Sequence, residues 1–421
     1  MIQGNEFNKI IIYGAGQAGK EVYDIYGDAE VYAFCESDSS KAGSYYCGKK
    51  IISIVELLNE RLYTIIAIKD PCIAAGIKTM LEQKGITCNT YNEMLDEVQL
   101  RLEEMTAHRP LDMNIETINS CPMKCVFCVN RKNTRIQNIM DNIKFETIVA
   151  QYAELWGGTL GIGSMQSDFL SDPILLKRID VIRRLKHKLW VHSTTPLISA
   201  EKYSDEEFAE ILSVFDYLEI SAGGYDRESY NRMMGVDAFD IFSRQLDRLR
   251  RLIDEYKLEL DIDIAFRTYD TEKCRGSDFY NKISRVFRIS EVKTSFFSWF
   301  GSIDDTELPK GANLLKSYNS GRESNCVVPN ATLAIQSDGR AVGCGCIDWL
   351  SSYVIGDTSK QTLDEIWNSN KAREFRNAFT NGILPKICSE CALYTPVSVL
   401  RNIKLRDYTS MDGLYYFVKA R

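Results

Sequence analysis

Across the first three hundred residues, short apolar runs alternate with longer stretches in which apolar residues recur every three or four positions. The runs predict buried strands and the stretches amphipathic helices, so the chain reads as α/β. Strands are expected at 9–13, 31–35, 49–54, 64–69 and 86–91, with a helix opened by Asp70 as N-cap and Pro71 at its first position. A charged helical connector is expected at 95–109. From residue 111 the pattern becomes six strand-and-helix units, with strands at 111–118, 159–163, 189–194, 217–221, 259–266 and 292–299. One helix carries Phe145, Ile148, Val149, Tyr152 and Leu155, and another Phe239, Phe242, Leu246, Leu249, Ile253 and Tyr256. Such alternation makes a parallel sheet covered by helices, here a partial barrel whose reactive positions should lie at the C-terminal strand ends. The fifth strand alternates strictly, with Leu260, Ile262, Ile264 and Phe266 on one face and Asp261, Asp263, Ala265 and Arg267 on the other. The apolar face should meet the helices, which turns Asp263 and Arg267 toward the cavity, where arginine can hold a carboxylate.

The last hundred residues change character. Segments 331–336 and 340–343 flank Ser337-Asp338-Gly339 and read as a hairpin. A helix capped by Thr362 and Glu365 is expected to run to Phe379. The glycines Gly14, Gly16 and Gly19 follow the first strand as G-x-G-x-x-G, and Glu36 ends the second. That turn admits close approach of backbone N–H groups to a phosphate, and an acidic strand end can receive a ribose, so a nucleotide is a candidate ligand. Three domains are expected: a Rossmann-like one at 1–105, a partial barrel at 106–320 and a small α+β domain at 321–421.

Composition narrows the function. The chain has 421 residues, 45% hydrophobic and 26% charged, with a net charge of −7 and no basic stripe, so nucleic acid is not an expected partner. No apolar run approaches the roughly 20 residues of a membrane span, and the first nine residues lack the pattern of a secretory signal, which points to the cytoplasm. Thirteen cysteines without an export signal favour metal or redox chemistry over disulfides. At a frequency of about 0.03, C-x3-C-x2-C should arise by chance about 0.01 times and C-x2-C roughly 0.4 times. Cys121, Cys125 and Cys128 form the rare triple; Cys388 and Cys391 form the commoner pair. Soft thiolates suit iron-sulfur clusters and zinc, and three of them leave one iron of a four-iron cluster open to a small molecule. Cys35, Cys47, Cys72 and Cys88 have no metal spacing, and His108, His187 and His192 read as packing residues.

With Phe127 before the last cysteine, Glu116 in the preceding strand and six strand-and-helix units, the triple resembles the radical S-adenosylmethionine superfamily. That resemblance implies a 4Fe-4S cluster on Cys121, Cys125 and Cys128, S-adenosylmethionine on the open iron, and a deoxyadenosyl radical that takes a substrate hydrogen; a reductase or flavodoxin-like donor would supply the electron. The family's Gly-Gly-Glu is replaced here by Gly157-Gly158-Thr159, which leaves Asp168 as the acidic choice for the cofactor's amino group. Thr194-Thr195-Pro196 stands where Thr-Asn-Gly is usual, and Ser221 matches a strand-end residue that contacts the S-adenosylmethionine moiety. Cys326, Cys344, Cys388 and Cys391 resemble the ligands of a second, auxiliary 4Fe-4S cluster in a twitch or SPASM domain, with Cys346 a departure. A closed zinc site on the later cysteines is the alternative. Residues 34–48 resemble the N-terminal domain of nucleotide-sugar acyltransferases, which implies a nucleotide-sugar. A sugar-like small molecule is therefore the expected substrate, against a peptide, as in SPASM maturases, or no catalysis in a zinc-stabilised nucleotide-binding protein.

Overall fold

The computed structural model describes residues 9–26, 31–94, 96, 108–163, 167–315, 326–345, 348–379, 381–389 and 391–394. The expected connector at 95–109 lies almost wholly outside them, as does Cys346. The chain divides into two compact units, the first dominated by residues before 106 and the second spanning Thr106–Ser398.

The first unit is a six-stranded sheet in the order β3-β4-β2-β1-β5-β6, all parallel except β3. Its strands are β1 (Ile10–Tyr13), β2 (Val31–Cys35), β3 (Tyr45–Tyr46), β4 (Lys49–Ile52), β5 (Tyr63–Ile66) and β6 (Cys88–Thr90). The helices are α1 (Gln17–Tyr26), α2 (Ile54–Glu60) and α3 (Pro71–Gln83). Local chemistry sets these boundaries. Ser53 ends β4 by opening α2 through a capping box with Glu56, and Asp70 accepts hydrogen bonds from the N–H groups of Cys72 and Ile73 ahead of Pro71. Gly14 has φ +112°, and a Cβ on Gly19 would overlap the Gly14 carbonyl, so both glycines are required by the turn.

The second unit carries one nine-stranded sheet, ordered β12-β11-β10-β9-β8-β7-β15-β16-β17. Six strands, β7 (Asp112–Ile115), β8 (Gly158–Ile162), β9 (Leu189–Thr195), β10 (Tyr217–Gly223), β11 (Asp261–Arg267) and β12 (Arg288–Lys293), run parallel in chain order. Between them lie α4 (Asn142–Leu155), α5 (Leu175–Leu185), α6 (Asp205–Leu212), α7 (Arg227–Met234), α8 (Phe239–Tyr256), α9 (Thr271–Gly276) and α10 (Asp278–Ser284). This is the expected six-unit α/β architecture. Helix faces and alternate strand residues share one core, in which Phe145, Tyr152, Leu218, Ile220, Phe242 and Phe266 are fully or almost fully buried. The other strand face carries Asp112, Glu219, Ser221, Asp263 and Arg267, as the alternation of the fifth strand predicts.

The sixth strand is a correction. It occupies Arg288–Lys293 rather than 292–299, because Arg288 pairs in register with Asp263, and the residues beyond it form β13 (Ser295–Phe296) against β14 (Asn313–Leu314). Gly157-Gly158-Thr159 is a second one: it opens β8 rather than ending it, so it lies at the wrong end of the strand for a cofactor.

The hairpin extends the same sheet. After α11 (Val327–Ala331), β15 (Thr332–Ile335) runs parallel to β7, and β16 (Arg340–Val342) and β17 (Val354–Asp357) follow antiparallel. Its turn has Gly339 at φ +95°. The helix expected from Thr362 to Phe379 breaks in two, α12 (Leu363–Trp367) and α13 (Asn370–Arg376), because Ser369 starts a new helix by capping the Ala372 N–H. A short α14 (Lys386–Ser389) carries Cys388.

Candidate metal centres

The first cysteine set lies on the loop after β7, and two elements grip that loop. Helix α7 accepts its backbone: Lys124 N–H donates to the Met234 carbonyl (3.1 Å) and Val126 N–H to that of Met233 (3.0 Å). Gly235 ends α7 with φ +69°, and a Cβ there would overlap the Lys124 carbonyl. Beside it the Phe127 ring stacks on Phe296 with centroids 4.6 Å apart, and the Trp299 indole N–H donates to the Phe127 carbonyl (3.0 Å). Cys128 N–H closes a turn onto the Cys125 carbonyl (3.1 Å). The loop is thus held as a unit whose three cysteines are half-buried.

Burial raises all three thiol pKa values above the ordinary range. Each has a partial offset: the Met123 N–H for Cys121, the Asn130 N–H and Arg131 for Cys128, and a backbone hydrogen bond at Cys125 itself, then the positive charge of Arg267, for Cys125.

Helix α7 adds two side chains that the sequence reading missed. Met234 Sδ stands 3.6 Å from Cys125 Sγ, and Tyr230, one turn earlier, buries a hydroxyl that has no hydrogen-bond partner among the described residues. A soft thioether and an unused O–H donor beside three thiols suit a sulfur-rich cluster. Among the described residues no three His, Cys, Asp or Glu side chains are gathered about a single point as for one metal ion. In a four-iron cluster each thiolate binds its own iron, so convergence on one point is not the arrangement required.

Two of the later cysteines, Cys326 and Cys344, lie at the open end of the hairpin. Cys326 is the N-cap of α11, which leads into β15, and Cys344 follows β16, whose pairing with β15 puts both at the end away from Gly339. Gly343 N–H donates to the Tyr353 carbonyl (2.9 Å), and the Tyr353 phenol in turn feels the charge of Cys388. Cys391 shares a recess with Trp299 and Phe300, on the segment that grips the first loop. Cys326, Cys344 and Cys388 are buried. This is the setting of a protein-enclosed centre rather than of surface thiols. Residues 326–392 match the SPASM family, an iron-sulfur cluster-binding domain.

The SPASM match covers Cys326, Cys344, Cys388 and Cys391 and none of the first triple. No curated protein matches the chain. Among solved structures, the native anSMEcpe structure with bound AdoMet aligns at 16% identity over 73% of this chain and 97% of that one, with a TM-score of 0.46. BtrN in complex with AdoMet and 2-DOIA aligns at 13% identity over 67% and 93%, with a TM-score of 0.43. SuiB from Streptococcus suis bound to S-adenosylmethionine aligns at 16% over 79% and 86%, with a TM-score of 0.39.

The other expected site residues divide. Asp168 is fully buried behind the first loop, its N–H on the Ser120 carbonyl (3.2 Å). Its carboxylate already accepts from Thr195 (2.8 Å), Ser199 (2.6 Å), Ser171 (3.3 Å) and the Leu170 N–H (3.4 Å). Burial pushes its pKa up while these bonds partly restore the ionised form. Arg267 is spent on Glu219 (3.0 Å) and Glu291, and Asp263 on Arg288 and the Tyr217 hydroxyl (3.1 Å). Both face inward as expected, within networks rather than as open binding groups. Ser221 lies on the same face, between Glu219 and the end of β10. Glu116 is fully buried and ties the segment after the first loop to the hairpin turn, accepting from Arg135 (2.5 Å) and from the Ser337 hydroxyl (2.9 Å). His192 contacts Asp112 (3.3 Å) in mid-strand, consistent with packing. In the first unit, Glu36 accepts from the Ala15 N–H (3.0 Å) and pairs with Lys41 (3.3 Å), so this acidic residue braces the glycine turn itself. Gly16 has open space at its Cα. Among the described residues no helix is long and apolar enough to cross a membrane.

Proposed function

We propose that this chain is a radical S-adenosylmethionine enzyme with a site-differentiated 4Fe-4S cluster on Cys121, Cys125 and Cys128 and an auxiliary cluster on Cys326, Cys344, Cys388 and Cys391. The observation that carries the reading is one compact unit holding both a rare, half-buried cysteine triple after its first barrel strand and a segment that matches an iron-sulfur domain. When bound, the first cluster supplies the electron that splits S-adenosylmethionine and so makes the radical that abstracts a substrate hydrogen.

The chain's own residues do the rest. Helix α7 and the 296–300 segment fix the loop and so the placement of its thiols. The polar inner face, with Ser221 and the Glu219–Arg267–Glu291 network, is the surface on which polar parts of cofactor and substrate would lie. Asp168 acts as a scaffold that orders Thr195, Ser199 and the loop backbone. A sugar or nucleotide-sugar substrate is supported by the parallel sheet, glycine turn and Glu36 of the first unit. The electron comes from a reductase or flavodoxin-like donor.

Anaerobically prepared protein should contain about two clusters' worth of iron and sulfide, fall to about one in Cys125→Ala, and form 5′-deoxyadenosine from S-adenosylmethionine under reduction. Zinc alone, without iron, would overturn the reading. Offering nucleotide-sugars and peptides in the same assay tests substrate class, since stimulation by peptides alone removes the sugar assignment.

A further inference from the structure

Tyr230 is fully buried, yet its hydroxyl has no partner among the described residues. A buried O–H left unused is rare and calls for a function. The ring is fixed: it packs against Phe242 with centroids 5.3 Å apart at 29° and against Phe239 at 5.7 Å and 60°. It lies four residues before Met234 on α7, hence on the same helix face, and Met234 touches Cys125. The backbone bonds from Lys124 and Val126 to α7 hold that face against the loop. Electrostatics agree on direction: burial raises the phenol's pKa, and charge on Cys125 and then Cys121 raises it further. The placement itself follows from α7, whose face carrying Tyr230 and Met234 is turned to the loop that bears Cys125.

We propose that Tyr230 donates a hydrogen bond to sulfur of the centre held by Cys121, Cys125 and Cys128 and thereby makes that centre easier to reduce. The proposal rests on the cluster assignment made above. Neutral thiols are weak acceptors, whereas thiolate and sulfide in a cluster carry negative charge. Reduction adds charge to them, so the hydrogen bond is stronger in the reduced state and favours it. The hydroxyl has no acceptor among the described residues, which leaves it available for this bond.

Tyr230→Phe removes the donor and keeps the ring. The measurement is an electron-paramagnetic-resonance redox titration of the full chain loaded with iron and sulfide, following the signal that S-adenosylmethionine perturbs. Iron content should match wild type, while the reduction equilibrium becomes about tenfold less favourable, a drop of about 59 mV for one electron. Placing fluorotyrosine at 230, a stronger donor of nearly the same shape, should move the potential the opposite way. That variant decides the matter if Tyr230→Phe loads poorly. Unchanged potentials, or a shift of the same sign in both variants, overturn the proposal. A wild-type protein whose iron content is unaffected by Cys125→Ala overturns the cluster assignment instead, and the proposal with it.

Discussion

Gly235→Ala should detach the first cysteine loop from the helix that holds it. Gly235 has φ +69°, where a Cβ costs about 1–2 kcal/mol. The new carbon would also stand 2.8 Å from the Lys124 carbonyl carbon and 3.0 Å from Lys124 Cβ. Ordinary carbon contacts begin at about 3.5 Å, so the loop must retreat by roughly 0.7 Å or more. Two responses compete. Keeping the loop in place costs about 1–3 kcal/mol of overpacking. Letting it go sacrifices the hydrogen bonds from Lys124 and Val126 to α7, about 1 kcal/mol each. Because the clashing atoms are backbone and cannot rotate away, both routes come to about 2 kcal/mol, and the total loss is about 3–4 kcal/mol. Urea denaturation of the metal-free chain measures this directly. The displaced loop should also lower iron content selectively, leaving the iron lost in Cys388→Ala unchanged. Gly276→Ala is the control, since its added carbon meets nothing within 4 Å and its φ is not positive. If Gly235→Ala matches wild type in both denaturation midpoint and iron content, then α7 does not position the cysteine loop.

The parts of this molecule that depend on local sequence were legible, and those that depend on lateral neighbours were not. Alternation in β11 placed Asp263 and Arg267 on the inner face because a strand's facing has period two. The same alternation could not say that Glu219 and Glu291, on the two adjacent strands, would occupy the guanidinium of Arg267. Those pairings follow from sheet order and register, which lie beyond any one strand. The sixth strand was misplaced for a related reason: both 288–293 and 292–299 contain apolar residues, and only the pairing of Arg288 with Asp263 selects the first. The capping box at Thr362 is local and readable, but Ser369 inside the same helical pattern carries a competing cap that only the fold brings into play. Cysteine spacing singled out the proposed metal ligands because thiolates on one loop must be close in sequence. Tyr230 and Met234 carried no such signal, since they reach the loop only through the docking of α7, about a hundred residues later.

The remaining tests separate charge from packing. Arg178 and Asp172 are both fully buried and paired at 2.5 Å, and Arg178 also donates to the Met140 carbonyl (2.6 Å). Arg178→Met leaves Asp172 charged and alone and should cost about 3–5 kcal/mol in urea denaturation, whereas Arg178→Met with Asp172→Asn should recover part of it; equal loss in both would show that packing, not charge, dominates. In the first unit, Glu21 gives a test by pH. Burial works against its ionisation, but hydrogen bonds from Tyr91 (2.6 Å) and Lys69 (3.0 Å) prevail, so its pKa lies below the ordinary carboxylate value. An unfolded chain then holds this proton more tightly than the folded one. Its stabilisation is complete above the unfolded pKa and disappears as pH falls through the folded value. Wild type should therefore lose more stability than Glu21→Gln on acidification from pH 6 to below 4, read from denaturation midpoints at each pH. Parallel pH profiles for the two proteins would mean that the bonds to Tyr91 and Lys69 do not hold the ionised carboxylate in the folded unit.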